Sequence, residues 1–88
     1  MTPNALLIDP HDDVVTVLRA IAPGETVRWA GGGPVSAREE IPVGHKVAIR
    51  PIAPGAMIRK YGCPIGTAGI AIVPGDRIHT HNLNSVEG

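Results

Sequence analysis

Aromatic residues are nearly absent from this chain of 88 residues, which has no Phe, one Tyr and one Trp. Eight basic residues are balanced by eight acidic ones and no basic run occurs, so the sequence lacks the features of a nucleic-acid-binding surface. No apolar run approaches 18 residues and no signal peptide is recognisable, so membrane association is not expected. A single cysteine excludes an internal disulfide and is typical of a reducing compartment, and we expect a cytoplasmic protein.

What the chain does contain indicates a small β domain. Hydrophobic residues make up 43% of it, which excludes disorder, and they are mostly Val, Ile, Ala and Leu. Eleven Gly and nine Pro indicate many turns and little helix. A chain of this size buries only about 60–65% of its unfolded surface, so it is too small to enclose a large pocket alone. We predict one domain over residues 1–88, with an ordered core from about 5 to 82 and a polar tail at 83–88.

An internal repeat organises the chain. Ile21-Ala22-Pro23-Gly24 recurs 31 residues later as Ile52-Ala53-Pro54-Gly55, and Ile41-Pro42-Val43-Gly44 recurs at the same offset as Ile72-Val73-Pro74-Gly75. Pro followed by Gly is the signature of a type II turn, because Pro fixes one turn position and Gly supplies the positive φ of the next. The repeat predicts two similar β units related by a pseudo-twofold axis.

The repeat also decides an ambiguous segment. Periodicity alone allows Val14–Arg19 to be helix or strand. Its repeat partner ends in Arg50-Pro51, where the proline forbids a continuing helix, so both segments are predicted to be extended. We further predict a first strand at Ala5–Ile8 and loops at Ala30–Pro34 and Gly62–Gly69.

The candidate chemistry lies near the C-terminal end, in His79-Thr80-His81-Asn82. On a strand, His79 and His81 would project from the same face. With His45 as a third ligand they would suit a metal ion, and an imidazole also suits general acid or base work near neutral pH. Histidines at a strand edge are more often exposed to solvent or bonded to backbone, and the spacing does not separate these alternatives.

Four basic residues flank the apolar strands, namely Lys46, Arg50, Arg59 and Lys60. They would suit a carboxylate substrate, although a solvated rim is the plainer interpretation. Tyr61, between Lys60 and Gly62, is either a ligand-contacting residue or partly buried filler in a hairpin. Gly62 and Gly66 would let backbone approach a ligand closely.

Two further residues have plain interpretations. Cys63 has no base predicted beside it, as a nucleophile would need, so we expect a small apolar filler. Asp12 and Asp13 are expected to act as turn or cap residues.

Four motifs in order carry a resemblance that covers residues 5 to 82. They are Gly44-His45-Lys46, Ile52-Ala53-Pro54-Gly55, Lys60-Tyr61-Gly62-x-Pro64-Ile65-Gly66 and His79-Thr80-His81-Asn82. With these motifs the chain resembles the small SAF-type domain of the altronate/galactarate dehydratase family. There the domain is either the N-terminal part of a long chain or a separate small subunit. The family often has Asp-Asn where this chain has Asp12-Asp13.

The resemblance implies a β-clip fold and hydro-lyase chemistry on sugar acids, with a divalent metal such as iron or manganese in the complete enzyme. It implies a separate large catalytic subunit and an oligomer, because the large domain of the family is absent from these residues. His79 and His81 would be the catalytic acid and base or, with His45, metal ligands. The substrate-binding positions implied by the motifs are His45, Lys46, Lys60, Tyr61, Gly62, Gly66 and Asn82.

Two alternatives stay open at this point. A close branch of the family is the small subunit of sulfolactate sulfo-lyase, which eliminates sulfite instead of water. SAF-type domains also occur as non-catalytic sugar-binding or assembly modules, and a fold does not fix a function.

Overall fold

The computed structural model describes residues 2–79 and 82–85, and for Ser85 only the backbone. This part of the chain forms strands and no helix, as predicted for a mostly β domain, and therefore contains no helix that could cross a membrane. The nine strands are β1 (Ala5–Leu6), β2 (Val14–Val17), β3 (Thr26–Trp29), β4 (Gly32–Ser36), β5 (Lys46–Ala48), β6 (Met57–Lys60), β7 (Cys63–Ala68), β8 (Arg77–Ile78) and β9 (Leu83–Ser85).

A four-stranded antiparallel sheet, in the order β1-β2-β5-β8, lies at the centre of the fold. Successive residues of a strand point to opposite faces, and here both faces are apolar. Val15 and Val47 pack into one buried cluster, whereas Val14 and Ala48 pack into another. The β3–β4 hairpin covers the first cluster, and the sheet β6-β7-β9 covers the second. The central sheet therefore separates two small cores.

Pairings at the same 31-residue offset show that the two units repeat. An isolated bridge joins Ile21 to Ile41, and a second joins Ile52 to Ile72. The hairpins also agree in register, since Trp29 pairs with Gly32 and Lys60 pairs with Cys63. The internal repeat predicted from the sequence is confirmed.

The Pro-Gly corners have the turn geometry that the sequence predicts. Gly24 has a φ of 81° and Gly55 a φ of 83°. In each corner the residue after the glycine donates its N–H to the carbonyl of the alanine before the proline, at 3.0 Å in both units. The two corners are thus set by local backbone preference rather than by packing.

The prediction of a loop at Gly62–Gly69 is wrong. Cys63–Ala68 form β7, which pairs with β6 on one side and with β9 on the other. Gly66 does not mark a turn, because a Cβ atom there would lie 2.2 Å from the carbonyl oxygen of Asn84. The glycine is needed where β9 approaches β7 closely.

Other predicted boundaries shift by a few residues. The loop predicted at Ala30–Pro34 is shorter, because β4 already begins at Gly32, and the first strand ends at Leu6 rather than Ile8. Leu83–Ser85 lie in the segment that we predicted to be a tail beyond the ordered core, yet they pair with β7. Cys63 is exposed, so its prediction as an apolar filler is wrong.

In each unit, an Asn or Asp side chain just before a strand of the central sheet binds the backbone of the hairpin that packs on that sheet. In the first unit, the Asn4 side chain accepts the Arg28 N–H and donates to the Thr26 carbonyl, both at 2.8 Å. In the second, the Asp13 carboxylate accepts the Arg59 N–H at 2.9 Å. A carboxylate has no donor for the second of these bonds. The predicted turn or cap role of Asp13 is therefore incomplete, because the Asp13 side chain also connects the start of β2 to β6.

Replacing Gly66 with Ala should destabilise the fold by about 3 kcal/mol, because the new methyl group meets backbone that cannot move aside. Urea denaturation would measure the change. Gly69→Ala is the matched control, since its Cβ would have no neighbour closer than the Asn84 side chain at 3.4 Å, an ordinary contact distance. It should change stability by less than about 0.5 kcal/mol. Equal midpoints for the two variants would show that β9 does not pack on β7 in this way.

Replacing Asp13 with Asn should stabilise the chain by about 1 kcal/mol. The new amide can donate to the Met57 carbonyl, which corresponds in the repeat to the Thr26 carbonyl that Asn4 binds. Thermal and urea unfolding of the two proteins would measure the gain. A loss of stability would mean that the charge of Asp13 contributes more than the added hydrogen bond.

Candidate functional site

Two of the predicted histidines lie face to face. His45 directly follows the corner at Gly44, and His79 directly follows β8. Because β5 and β8 pair, with Lys46 opposite Ile78, the two imidazole rings stack with centroids 5.7 Å apart and planes 16° from parallel. They line a shallow cavity of about 220 Å³ that is formed by Gly44, His45, Lys46, Ile78, His79 and Leu83.

Lys46 lines this cavity together with the histidines, and Lys60 lies near Lys46. Lys46 begins β5 and, by alternation, lies on the same face as Ala48 and the second core. Burial of the Lys46 ammonium lowers its pKa below that of an exposed lysine, and the positive charge of Lys60 lowers this pKa further, while Tyr61 acts in the opposite direction. The Lys60 Nζ lies 4.5 Å from the centroid of the Tyr61 ring, a cation–π contact.

The two lysines of this site have no acidic partner among residues 2–79 and 82–84. The ion pairs among the described residues involve His11, Arg19, Arg38 and Arg77, and neither Lys46 nor Lys60 takes part in one. We call the group His45, Lys46, Lys60, Tyr61 and His79 the cationic cleft. Its chemistry suits an anion, because two ammonium groups held close together are stabilised by a negative charge between or beside them.

Tyr61 occupies an unusual backbone conformation. Tyr61 and Gly62 form the two-residue loop between β6 and β7, with φ values of 58° and 73°. Positive φ at both positions is typical of a type I′ hairpin turn, and it is unfavourable for a tyrosine. Tyr61 is 55% exposed, so about half of its surface is open to solvent.

The fully buried carboxylate of Asp12 holds this loop. Asp12 Oδ2 accepts the Tyr61 N–H at 2.9 Å, and Asp12 Oδ1 accepts the Gly62 N–H at 2.7 Å. Asp12 Oδ2 also accepts the Asp9 N–H at 3.2 Å. Sequence reasoning anticipated a turn or cap role for Asp12 but missed these partners, because Tyr61 and Gly62 lie 49 and 50 residues away.

The strand β8, which would carry His79 and His81 on one face if it continued, ends at Ile78. The His79 carbonyl accepts the N–H groups of both Asn82 and Leu83, at 3.0 and 2.9 Å. Asn82 is 2% exposed, and its side chain accepts the His79 N–H and donates to the Arg77 carbonyl. His79 therefore does not lie on a strand, and the Asn82 side chain stabilises the backbone at His79 through this hydrogen bond.

The two glycines predicted to bind substrate have close neighbours within the protein. A Cβ atom at Gly62 would lie 2.8 Å from the Asp9 carboxylate, and one at Gly66 would lie 2.2 Å from the Asn84 carbonyl. The conformation and packing of the chain therefore account for both glycines. The same holds for Asn82, whose polar side-chain atoms are occupied by backbone groups.

The predicted metal set is His45, His79 and His81, and His81 lies outside the described residues. Among the residues that are described, no group of three or more His, Cys, Asp or Glu side chains could hold a metal ion. The arrangement of the other two histidines does not fit metal binding either. Stacked imidazoles turn their faces to each other, whereas a metal ion binds at nitrogens on the ring edge. We therefore derive no step through a metal on these residues.

Taken together, fold and site define a small domain of two β units, with a cationic cleft on the second unit only. The model of the altronate/galactarate dehydratase SAF domain family matches residues 3–86, and the chain belongs to this family. The resemblance seen in the four sequence motifs is thereby confirmed.

Three relatives illustrate how the domain is used elsewhere. Altronate dehydratase of Bacillus subtilis (strain 168) is 40% identical over 78 residues, which cover 89% of this chain and 16% of that enzyme. Altronate dehydratase of Escherichia coli (strain K12) is 39% identical over 74 residues, covering 84% of this chain and 15% of the enzyme. The (2R)-sulfolactate sulfo-lyase subunit alpha of Chromohalobacter salexigens is 38% identical over 48 residues, covering 54% of this chain and 51% of that subunit. The chain thus spans less than a fifth of the altronate dehydratases.

Replacing Lys46 with Met should stabilise the folded chain at neutral pH. The pKa of Lys46 is lower in the folded chain, so the unfolded state binds its proton more tightly and the charged form opposes folding. The gain should be below about 1 kcal/mol, because the ammonium is only partly buried. It should shrink as the pH rises through the lowered pKa toward the ordinary lysine value of about 10.4.

Urea denaturation between pH 7 and 10.5 would measure this difference. Arg59→Met is the matched control, because Arg59 is an exposed cation on β6, and its effect should not vary over the same pH range. A Lys46→Met protein that is less stable than the parent at every pH would contradict the interpretation.

Proposed function

We propose that this chain is the SAF component of a hydro-lyase that removes water from a hydroxylated carboxylic acid of the altronate or galactarate type. In this proposal it is a small subunit that acts with a separate large catalytic subunit. The observation that carries the proposal is a pair of lysines, Lys46 and Lys60, without an acidic partner among the described residues. Lys46 lines one cavity with His45 and His79. Such a cluster suits the carboxylate of a sugar acid.

The chemistry assigns a role to each group in the cleft. Elimination of water next to a carboxylate requires a base for the α-proton, an acid for the leaving hydroxyl, and positive charge near the developing enolate. We assign the acid and base roles to His79 and His81, and we assign substrate binding to His45, Lys46 and Lys60. The Tyr61 hydroxyl would orient the substrate, while Gly62, Gly66 and Asn82 shape the backbone around it.

In the reaction, the base takes the α-proton and the electron pair of that bond forms the enolate. The enolate then expels the hydroxyl from the β-carbon, and this hydroxyl leaves as water with a proton from the acid. The two lysines stabilise the negative charge that accumulates on the carboxylate oxygens. Atoms and charge balance without a further reactant.

A second chain is part of the proposal because the cleft is open. A cavity of about 220 Å³ is smaller than the roughly 300–1,000 Å³ of most small-molecule sites, so it would cover only part of a sugar acid. The relatives supply a precedent, since the matching segment makes up 15–16% of two altronate dehydratases and the sulfo-lyase relative is a subunit by name. We expect the assembly to be oligomeric and cytoplasmic.

The sulfo-lyase relatives favour a second candidate, in which the leaving group is sulfite and the substrate is a sulfonated hydroxy acid. The same cationic cleft would serve, because a sulfonate and a carboxylate are both oxyanions that accept hydrogen bonds from ammonium groups. A third possibility is a non-catalytic module that binds a sugar acid or braces the large chain.

The test is to purify the chain alone and with its large chain, and to assay loss of water from altronate and galactarate and loss of sulfite from sulfolactate. We expect activity only from the complex. Within it, Lys46→Met and Lys60→Met should each lower kcat/KM by about 10- to 100-fold, the loss expected for one charge-assisted contact. Arg59→Met, on the same strand as Lys60 but outside the cleft, should stay within about twofold.

The histidines distinguish catalysis from binding. His79→Ala and His81→Ala should lower kcat by about 10²- to 10⁴-fold, the usual contribution of a general acid or base. Unchanged turnover in both variants, with galactarate still bound in calorimetry, would favour the binding module. Full activity of the isolated chain would contradict the two-chain proposal.

A further inference from the structure

A buried carboxylate needs a reason, and Asp12 is the one acidic residue that is fully buried in the described part of the chain. Its oxygens accept three backbone N–H groups, those of Asp9, Tyr61 and Gly62. Two of these groups are consecutive and belong to the loop after β6. The main role of the carboxylate is therefore to stabilise the conformation of this two-residue loop.

That loop is unfavourable without support. A tyrosine at a φ of 58° crowds its Cβ against the backbone, and residues other than Gly, Asn or Asp seldom adopt this conformation. Two consecutive N–H groups in such a turn form a concave donor pair that suits an anion, and the Asp12 carboxylate is the anion bound there.

The first unit shows what happens without the carboxylate. Its hairpin closes through Ala30 and Gly31 in the same register, with Trp29 opposite Gly32, and Ala30 does not have a positive φ. Because Asn4 takes the role there that Asp13 has in the second unit, Pro3 occupies the place of Asp12. Closing a hairpin in this fold therefore requires neither a buried carboxylate nor a left-handed non-glycine residue.

The Asp12 carboxylate does affect the position of the last residue of β6. Lys60 is the last residue of that strand, and it pairs with Cys63 across the loop. Type I′ turns match the right-handed twist of paired strands, whereas a turn with negative φ would splay them. If Tyr61 left its conformation, Lys60 would shift away from the Tyr61 ring and from β5.

We propose that Asp12 is the positioning residue of the cationic cleft, holding Tyr61 in the left-handed conformation so that Lys60 lies over its ring and beside Lys46. This inference rests on the proposed function, because it takes the cleft to be an anion site. Asp12 makes no contact with substrate in this account and acts only through the loop.

The test measures galactarate binding by calorimetry on the chain with its large chain. Asp12→Asn should raise the Kd about tenfold, because an amide offers only one acceptor oxygen to two N–H groups and the loop loosens. Asp13→Asn, one residue away and bonded to Arg59 instead, should leave the Kd within about twofold. In the isolated chain, NMR should show that Asp12→Asn removes the ring-current shift of the Lys60 ε-protons, which report the contact with Tyr61.

A double-mutant cycle tests the route of the effect. Glycine adopts positive φ freely, so in a Tyr61→Gly background Asp12→Asn should change the Kd by less than about twofold. If Asp12→Asn does not fold, Tyr61→Val and Tyr61→Gly form a second pair, since both remove the ring but only Val resists the left-handed conformation. The Tyr61→Val protein should then bind galactarate several-fold more weakly than the Tyr61→Gly protein.

Three results would overturn the positioning role. The first is that Asp12→Asn loses the same affinity in the Tyr61 and Tyr61→Gly backgrounds. The second is that Asp12→Asn lowers the Tm but changes neither the Kd nor the Lys60 shifts. The third is that the Tyr61→Val and Tyr61→Gly proteins bind galactarate equally well. Failure of the parent complex to bind galactarate would instead refute the anion site. The Lys60 shifts of Asp12→Asn and Asp13→Asn would still decide whether Asp12 positions the lysine.

Discussion

The fold depends on the central sheet having two apolar faces. In β2, adjacent residues Val14 and Val15 belong to separate cores, and in β5 the same is true of Val47 and Ala48. A sheet of this kind cannot leave either face in water, so each face must be covered. Each unit of the repeat supplies one hairpin for that purpose. Neither unit could fold without the other, because the sheet they cover is shared.

The two copies share a backbone but differ in chemistry. Each residue of the cationic cleft lies 31 positions after an apolar residue of the chain. In order, His45, Lys46, Lys60, Tyr61 and His79 correspond to Val14, Val15, Trp29, Ala30 and Ala48. Because the pairing registers of the units agree, this difference is not a consequence of a different fold. The scaffold is made twice, and the polar residues were placed on it once.

The features that sequence reasoning predicted correctly are those with a local or periodic cause. The Pro-Gly corners follow from the backbone preferences of two residues, and the 31-residue repeat is visible without any structure. The repeat also identified β2 as extended where its own pattern was ambiguous. The four motifs led us to expect that His45, Lys46, Lys60 and His79 lie near one another. The pairing of β5 with β8 accounts for the contact between His45 and His79.

What could not be predicted has a long-range cause. Gly66 looks like a turn residue until β9 is seen against β7, and the Asn84 carbonyl that requires it is 18 positions away. The partners of Asp12 are about 50 residues distant. On an uninterrupted strand His79 and His81 would share one face, yet β8 ends at Ile78. The buried amide of Asn82, which binds the backbone at His79, looks the same in sequence as an exposed one.

The cationic cleft contains two features that lower the stability of the folded chain. Burial of the Lys46 ammonium lowers its pKa, and the nearby charge of Lys60 lowers this pKa further, so both effects oppose folding. The left-handed Tyr61 adds to that opposition. Such features persist where the surrounding structure holds them in place, as the buried Asp12 carboxylate does here. An anion in the cleft would remove the repulsion between the lysines, so ligand binding and folding stability are linked. Under the proposed function, the shallow cavity leaves much of a sugar acid uncovered, and discrimination between substrates would come from surfaces beyond this domain. The cationic cleft would supply charge and orientation, and the choice of leaving group would fall to the chain that completes the site.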